Sequence, residues 1–88
     1  MLKEEIIVKN KLGLHARPAA LLAAEAGRFK SDIFITKDNM EVNAKSIMGL
    51  MMIAAECGSK IILTITGEDE AAAHAAMRGA FARIFEDI

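Results

Sequence analysis

Short apolar segments that alternate between strand-like and helix-like patterns restrict the fold of this 88-residue chain more than any other feature. β-branched and aromatic residues predict strands at 2–9, 32–37, 40–43 and 60–66. Helical periodicity predicts helices at 16–26, at 47–56 and after residue 67. Pro18 and Ser46 suit the starts of the first two helices, and Gly27 and Gly58 their ends, Gly27 as a left-handed cap. The order β-α-β-β-α-β-α predicts an α+β fold with one sheet and helices packed on one face.

Each predicted helix carries an apolar stripe that is expected to face the sheet. The predicted core positions are Ala19, Leu22, Ala23, Ala26, Leu50, Ile53, Ala54, Ala73, Met77, Ala80, Phe81 and Ile84. The surplus alanines Ala20 and Ala24 are interpreted as further buried packing. Met48, Met51 and Met52 lie on another face of the second helix, and a domain of this size has little interior in which to bury them. Because flexible methionines suit a surface that accepts several partners, we interpret these three as a docking patch.

Composition and charge argue against several classes of function. The chain has 11 basic and 12 acidic residues and a net charge of −1, so bulk charge does not favour binding to nucleic acid or to a membrane surface. Its longest nearly apolar stretch, 47–55, is far shorter than the roughly 20 residues that span a bilayer. The lone Cys57 cannot form an internal disulfide and is predicted to be at least half-buried. We therefore expect one domain over residues 1–88, soluble and cytoplasmic.

The sequence predicts neither a metal site nor a cofactor. The two histidines, His15 and His74, lie far apart along the chain and lack the spacing of zinc ligands. His74 flanks the apolar stripe of the last helix and is interpreted as structural or solvated.

His15 lies just before the first predicted helix, where a phosphoryl group could be bound. Backbone N–H groups at a helix start have no acceptor within the helix, and together with the helix dipole they favour an anion. Here those groups belong to Ala16 and Arg17, and the Arg17 guanidinium can donate paired hydrogen bonds to phosphate oxygens. A nucleophilic imidazole, two amide donors and a guanidinium therefore converge, although position alone favours a polar residue in a surface loop.

Two segments carry a resemblance to a known family: GLHARPA at 13–19 and NAKSIMGLM at 43–51. The first resembles the active-site signature of HPr, the histidine-containing phosphocarrier family of the bacterial phosphoenolpyruvate-dependent phosphotransferase system. The second is similar to that family's regulatory serine segment. Chain length, element order and both motif positions agree across essentially the whole chain. The resemblance implies an open-faced β-sandwich, in which three helices cover one face of a four-stranded antiparallel sheet.

The resemblance also implies a role for individual residues. His15 would take a phosphoryl group on Nδ1 from enzyme I and pass it to the enzyme IIA domains of sugar transporters. Arg17 would clamp the phosphate, and the amides of Ala16 and Arg17 would cradle it. The residues that match the family's partner-binding surface are Ala20, Leu21, Ile47, Met48 and Met51. The protein would act as a monomeric carrier rather than as a stand-alone enzyme.

Ser46 has two compatible interpretations. It suits the N-cap of the second helix, where a serine contributes about 1 kcal/mol. The resemblance implies in addition that Ser46 is phosphorylated by HPr kinase/phosphorylase. The helix dipole would accommodate such a phosphate, so its effect is expected on the surface charge rather than on the fold.

Two alternatives to a sugar-branch carrier remain open from the sequence. The lead-in at 10–13 also resembles the nitrogen-regulatory branch, NPr, which implies the same chemistry with regulatory partners. A regulatory binding module would use Ser46 and the methionines without phosphoryl relay, and it would need neither His15 nor Arg17.

The chain departs from the family in the charge around this site. Many family members carry additional basic residues there, whereas this chain has Ala24, Gly27 and Gly49, with only Lys45 nearby. We therefore expect docking to depend on apolar contact more than on charge.

Overall fold

Four strands and three helices follow one another in the order predicted from the sequence. A computed structural model describes the backbone of residues 1–87 and the side chains of residues 1–86. The elements are β1 (Leu2–Ile7), α1 (Ala16–Ala26), β2 (Asp32–Lys37), β3 (Met40–Asn43), α2 (Ile47–Met52), β4 (Lys60–Thr66) and α3 (Glu70–Asp87). No helix within residues 1–87 is both long enough and apolar enough to cross a membrane. The predicted bounds of α1, β2, β3 and β4 are confirmed.

The strands form one antiparallel sheet in the order β1-β4-β2-β3. In the central strand β4, Ile61, Leu63 and Ile65 are fully buried, whereas Ile62 and Thr66 between and beyond them are exposed. This alternation follows from the two-residue period of a strand and leaves one covered face and one open face. All three helices contribute buried residues to the one core. The predicted open-faced β-sandwich is thus confirmed.

The apolar stripes of α1 and α3 form the helical side of the core. All four predicted positions in α1 and all five in α3 are buried, and the two helices pack against each other. By contrast, Ala20 and Ala24 are exposed, so their interpretation as core residues is wrong. A single buried stripe is enough for α1, because its opposite face is covered by no other element.

The second helix ends at Met52 rather than at residue 56, because the carbonyls of the residues after it accept hydrogen bonds from outside the helix. Ala54, predicted in the core, is exposed and has left-handed backbone at φ 49°. Lys37 Nζ donates to the Ala54 carbonyl at 3.3 Å, which places a cation at the helix end, where the dipole favours it. The next carbonyl, that of Ala55, accepts the backbone N–H of Leu14 at 2.8 Å. Continued helix would withdraw both carbonyls from these partners.

Two further expectations are corrected. Cys57 is exposed, because residues 56–59 form a surface turn closed by the Ser59 N–H to the Glu56 carbonyl at 2.9 Å. Gly27 is right-handed at φ −64°, and its N–H donates to the Ala23 carbonyl. The chain leaves α1 through a tightened turn rather than through a left-handed cap.

The carboxylate of Asp69 joins the beginning of α3 to the beginning of β2. It accepts a hydrogen bond from the Ser31 hydroxyl and, at 3.0 Å each, from the backbone N–H groups of Lys30 and Ser31. The Ser31 hydroxyl and then the Lys30 N–H are the main causes that lower the pKa of Asp69 to about 2. These bonds stabilise the ionised carboxylate and fix α3 against the sheet.

We expect Asp69 to account for part of the acid sensitivity of the fold. A folded-state pKa below the ordinary value of 3.8 means that the unfolded chain binds the proton first, so the contribution is complete above about pH 4 and is lost as the pH falls toward 2. Urea unfolding measured from pH 2 to pH 6 should show a shallower slope for Asp69→Asn than for the wild type. Glu68→Gln, at an exposed position beside it, should keep the wild-type slope. Parallel slopes for wild type and Asp69→Asn would contradict this assignment.

Candidate functional site

A turn before α1, buried at its two ends Asn10 and Gly13, positions the candidate site. The backbone of Gly13 is left-handed at φ 68°, and its carbonyl accepts the side-chain amide of Asn10 at 2.7 Å. Asn10 is itself buried. The next residue, Leu14, is buried and donates its N–H to the Ala55 carbonyl. The turn is therefore fixed to the segment after α2, and His15 follows it directly.

His15 is the N-cap residue of α1 by its backbone and not by its side chain. Its φ and ψ are −87° and −169°, its carbonyl accepts the Ala19 N–H at 3.0 Å, and its imidazole caps no helix N–H group. The ring is half-buried, with Nε2 enclosed and without a hydrogen-bond partner among residues 1–87. Nδ1 is not enclosed in this way, so it is the ring nitrogen available to a reactant when the proton is on Nε2.

The first turn of α1 offers donors that the protein does not use. The N–H groups of Ala16 and Arg17 have no backbone or side-chain acceptor within the described residues, and Pro18 has no N–H group. The Arg17 side chain is exposed and forms no ion pair with the described residues. Two amide donors and one guanidinium are thus available to an anion beside His15.

Ser46 is the N-cap of α2, as predicted. Its hydroxyl oxygen accepts the Gly49 N–H at 3.0 Å, and the side chain is half-buried. Its neighbour Lys45 donates from Nζ to the Phe29 carbonyl at 2.8 Å, beyond the end of α1. The ammonium group of Lys45, the basic residue predicted near the site, is therefore hydrogen-bonded within the protein. Arg17, in the first turn of α1, is exposed instead.

An apolar surface lies on the outer sides of α1 and α2, which pack against each other. We define this α1/α2 surface by the five predicted partner-binding residues: Ala20, Leu21, Ile47, Met48 and Met51. All are exposed except Leu21, which is half-buried. Leu12, in the turn before His15, and Met52 are exposed apolar neighbours that the sequence comparison with the family did not single out as partner-binding residues.

Two grooves formed by the described residues do not include His15. One groove of about 370 Å³ lies between β1 and α3, lined by residues that include Ile7, Arg78 and Phe85. A second, also about 370 Å³, lies beside the β2–β3 turn and reaches Ile53. Both are away from the first turn of α1. A histidine on an open surface can enter the active site of another protein, whereas an enzyme of small molecules usually encloses its substrate.

Asn10 and Gly13 are the site residues that sequence reasoning missed. The spacing Asn-x-x-Gly signals a turn, and the sequence identified it only as a loop. These two residues fix the turn because the backbone of Ala55 lies against Gly13, and a local sequence pattern does not reveal a contact with so distant a residue.

Comparison with known proteins identifies the family. The family model described as "PTS HPr component phosphorylation site" matches residues 2–83. The phosphocarrier protein HPr of Treponema pallidum is 47% identical over 87 residues, which cover 99% of both chains. The HPr-like protein Crh of Bacillus subtilis is 53% identical over 70 residues, covering 80% of this chain and 82% of Crh. A crystal structure of HPr from Thermoanaerobacter tengcongensis, 43% identical, superposes with a TM-score of 0.92 over 100% of this chain and 99% of that one. The chain therefore belongs to the HPr family of phosphocarrier proteins of the phosphotransferase system.

Proposed function

We propose that His15 carries a phosphoryl group between enzyme I, charged by phosphoenolpyruvate, and the enzyme IIA domains of sugar transporters. The observation that carries this proposal is the accessible Nδ1 of His15 beside two unused N–H groups, those of Ala16 and Arg17. Such a carrier works in the cytoplasm, where the donor is charged.

The chemistry is a displacement at phosphorus. The lone pair of Nδ1 forms the N–P bond as the bond between phosphorus and the donor breaks, and the reverse step delivers the group to the acceptor. The two amides and the Arg17 guanidinium can donate to the phosphoryl oxygens, whose charge is spread in the transition state. The dipole of α1 acts in the same direction.

The α1/α2 surface provides the docking site for both partners. Its exposed apolar side chains lie on α1, the helix that begins directly after His15, and on α2, which packs against α1. Docking therefore depends mainly on apolar contact. We propose a monomer as the working form, because this surface must be free, although HPr of T. tengcongensis has also been crystallised as a dimer.

The proposal is tested by incubating the protein with phosphoenolpyruvate and enzyme I. Mass spectrometry should show one added phosphoryl group on His15, lost on acid treatment, since phosphoramidates are acid-labile. Addition of an enzyme IIA domain should return the unmodified mass. An acid-stable phosphate, or none, would contradict a carrier function.

The similarity to Crh, which is described as the catabolite repression HPr of Bacillus subtilis, favours a regulatory function in addition. We propose that Ser46 is a phosphorylation site for HPr kinase/phosphorylase, with the modified protein binding regulatory partners. The half-buried hydroxyl that caps α2 would have to turn away from the Gly49 N–H to be modified, but an N-terminal phosphate is well placed on the dipole. A regulatory module without relay remains the alternative, as does a nitrogen-branch carrier, and phosphate exchange with enzyme I of each branch separates them.

Arg17→Ala should slow phosphoryl transfer without abolishing it. The amides and the imidazole remain, and one charged hydrogen-bond donor is lost, which corresponds to about 1.5–3 kcal/mol or roughly a 10- to 150-fold lower rate. Rapid-quench kinetics with enzyme I measure this effect. Arg17→Lys keeps the charge but not the paired donors, and its transfer rate should lie between those of the wild type and Arg17→Ala. Equal rates for Arg17→Ala and wild type would remove Arg17 from the mechanism.

Ser46→Asp should weaken docking to enzyme I without unfolding α2. Aspartate replaces serine as an N-cap, so the melting temperature should hold, while its charge lies beside the α1/α2 surface. We expect a higher protein concentration for half-maximal His15 phosphorylation, with a smaller effect at high salt. Ser46→Ala is the matched control: it loses the cap, about 1 kcal/mol, but adds no charge. If both variants dock like wild type, Ser46 lies outside the docking site.

A further inference from the structure

Most methionine side chains of this protein lie on the surface rather than in the core. Five of the six side chains are exposed, and only Met77 is fully buried. Met48, Met51 and Met52 are 71%, 45% and 66% exposed, respectively, and all three belong to the six-residue helix α2. Met51 and Met52 follow Met48 by three and four residues, so both lie about one helical turn from it.

We propose that Met48, Met51 and Met52 form an oxidation-sensitive site that controls docking on the α1/α2 surface. The oxidant is hydrogen peroxide or an organic peroxide. The sulfur lone pair attacks one peroxide oxygen, the O–O bond breaks, and water or an alcohol leaves. The thioether is oxidised by two electrons to a sulfoxide, and the peroxide is reduced.

Exposure makes these sulfurs the accessible targets in the folded protein. Met77 is 0% exposed and packed in the core, so peroxide reaches it only after unfolding. The side chains of Met48 and Met52 have most of their surface in water, so their oxidation removes little packing from the fold. The modified protein should therefore remain folded.

The effect falls on partner binding, and in this respect the inference rests on the proposed function. Met48 and Met51 belong to the α1/α2 surface, and Met52 adjoins it. Oxidation turns a flexible apolar side chain into a polar one, and a sulfoxide oxygen buried against an apolar partner loses its water. Methionine sulfoxide reductases of both epimer specificities would restore the thioethers.

The matched control is Met40 in β3, which is 45% exposed like Met51 but lies outside the α1/α2 surface. The experiment uses a Cys57→Ser background, which removes the exposed thiol as a competing target. Three proteins are compared: this background, Met40→Leu, and the triple variant Met48→Leu, Met51→Leu, Met52→Leu. For each protein, phosphorylation by enzyme I is measured before and after mild peroxide treatment. The ratio of the two values is compared among the proteins, so an effect of the substitutions on the untreated protein cancels.

Peptide mass mapping should find sulfoxide at Met48, Met51 and Met52 while Met77 stays unmodified. In the background protein and in Met40→Leu, the concentration for half-maximal phosphorylation by enzyme I should rise about tenfold after treatment, with the final extent of His15 phosphorylation unchanged. Reductase treatment should reverse the rise, and the triple variant should show none.

Other results overturn the proposal in distinguishable ways. Unmodified Met48 and Met51, or early oxidation of Met77, contradicts the modification site itself. An unchanged concentration dependence after full oxidation, or equal sensitivity of the triple variant, contradicts control of docking. If the untreated protein accepts no phosphoryl group at all, the proposed function fails, and the oxidation map still decides whether the site exists.

Discussion

His15→Ala is expected to abolish phosphoryl acceptance from enzyme I completely. The substitution removes the nucleophilic nitrogen, and the amides of Ala16 and Arg17 can bind an anion but cannot form a bond to phosphorus. The fold should survive, because His15 Nε2 has no hydrogen-bond partner among the described residues that the change would strand. The backbone bond from the His15 carbonyl to the Ala19 N–H is kept. We expect a change in unfolding free energy within about 1 kcal/mol.

His74→Ala is the matched control for this result. The Nε2–H of His74 donates to Glu4 Oε1 at 2.6 Å and links α3 to β1, so loss of this side chain should affect stability and leave acceptance intact. Phosphoryl incorporation is measured by intact mass, and stability by thermal unfolding of the same samples. Residual acceptance by folded His15→Ala would place the carrier nitrogen elsewhere.

The bounds of β2, β3, β4 and α1 were predictable because their signals are local, whereas β1 ends at Ile7, two residues before its predicted end. Alternation along β4 and the two-residue turn between Lys37 and Met40 fix both the bounds and the pairing of these segments. The end of α2 was not predictable, because it depends on Leu14 and Lys37, which bond to carbonyls just after the helix. The residue with left-handed backbone after α2 is Ala54, whereas the sequence predicts that Gly58 ends this helix.

The candidate site shows the same division between local and long-range signals. His15 and Arg17 stand in a contiguous motif at a helix start, and the structure places the unused N–H groups beside them as expected. The hydrogen bond from Lys45 to the Phe29 carbonyl could not be predicted from the sequence, because the two residues are separated along the chain by the whole of β2 and β3. The hydrogen bond fixes where the Lys45 ammonium lies but does not remove its charge.

Gly13→Ala is expected to lower the unfolding free energy by about 3 kcal/mol or more, the largest effect on stability among these substitutions. A Cβ at this position would overlap the Ala55 carbonyl oxygen and lie 2.9 Å from the Glu56 Cα. Both obstacles are backbone, so the turn itself must move. Movement breaks the bond from Leu14 to Ala55 and the buried bond from Asn10 to Gly13.

Gly58→Ala is the control for this prediction, because it introduces left-handed strain without steric overlap. Gly58 has φ 93°, and a Cβ there would meet no atom within 4 Å, so only the conformational cost of about 1–2 kcal/mol applies. Because His15 follows the turn of Gly13, Gly13→Ala should also slow phosphorylation under conditions in which the protein is still folded, whereas Gly58→Ala should not. Urea unfolding and initial rates with enzyme I measure the two effects. Equal destabilisation by both substitutions would mean that the Ala55 segment yields freely, and that the turn does not hold His15 in position.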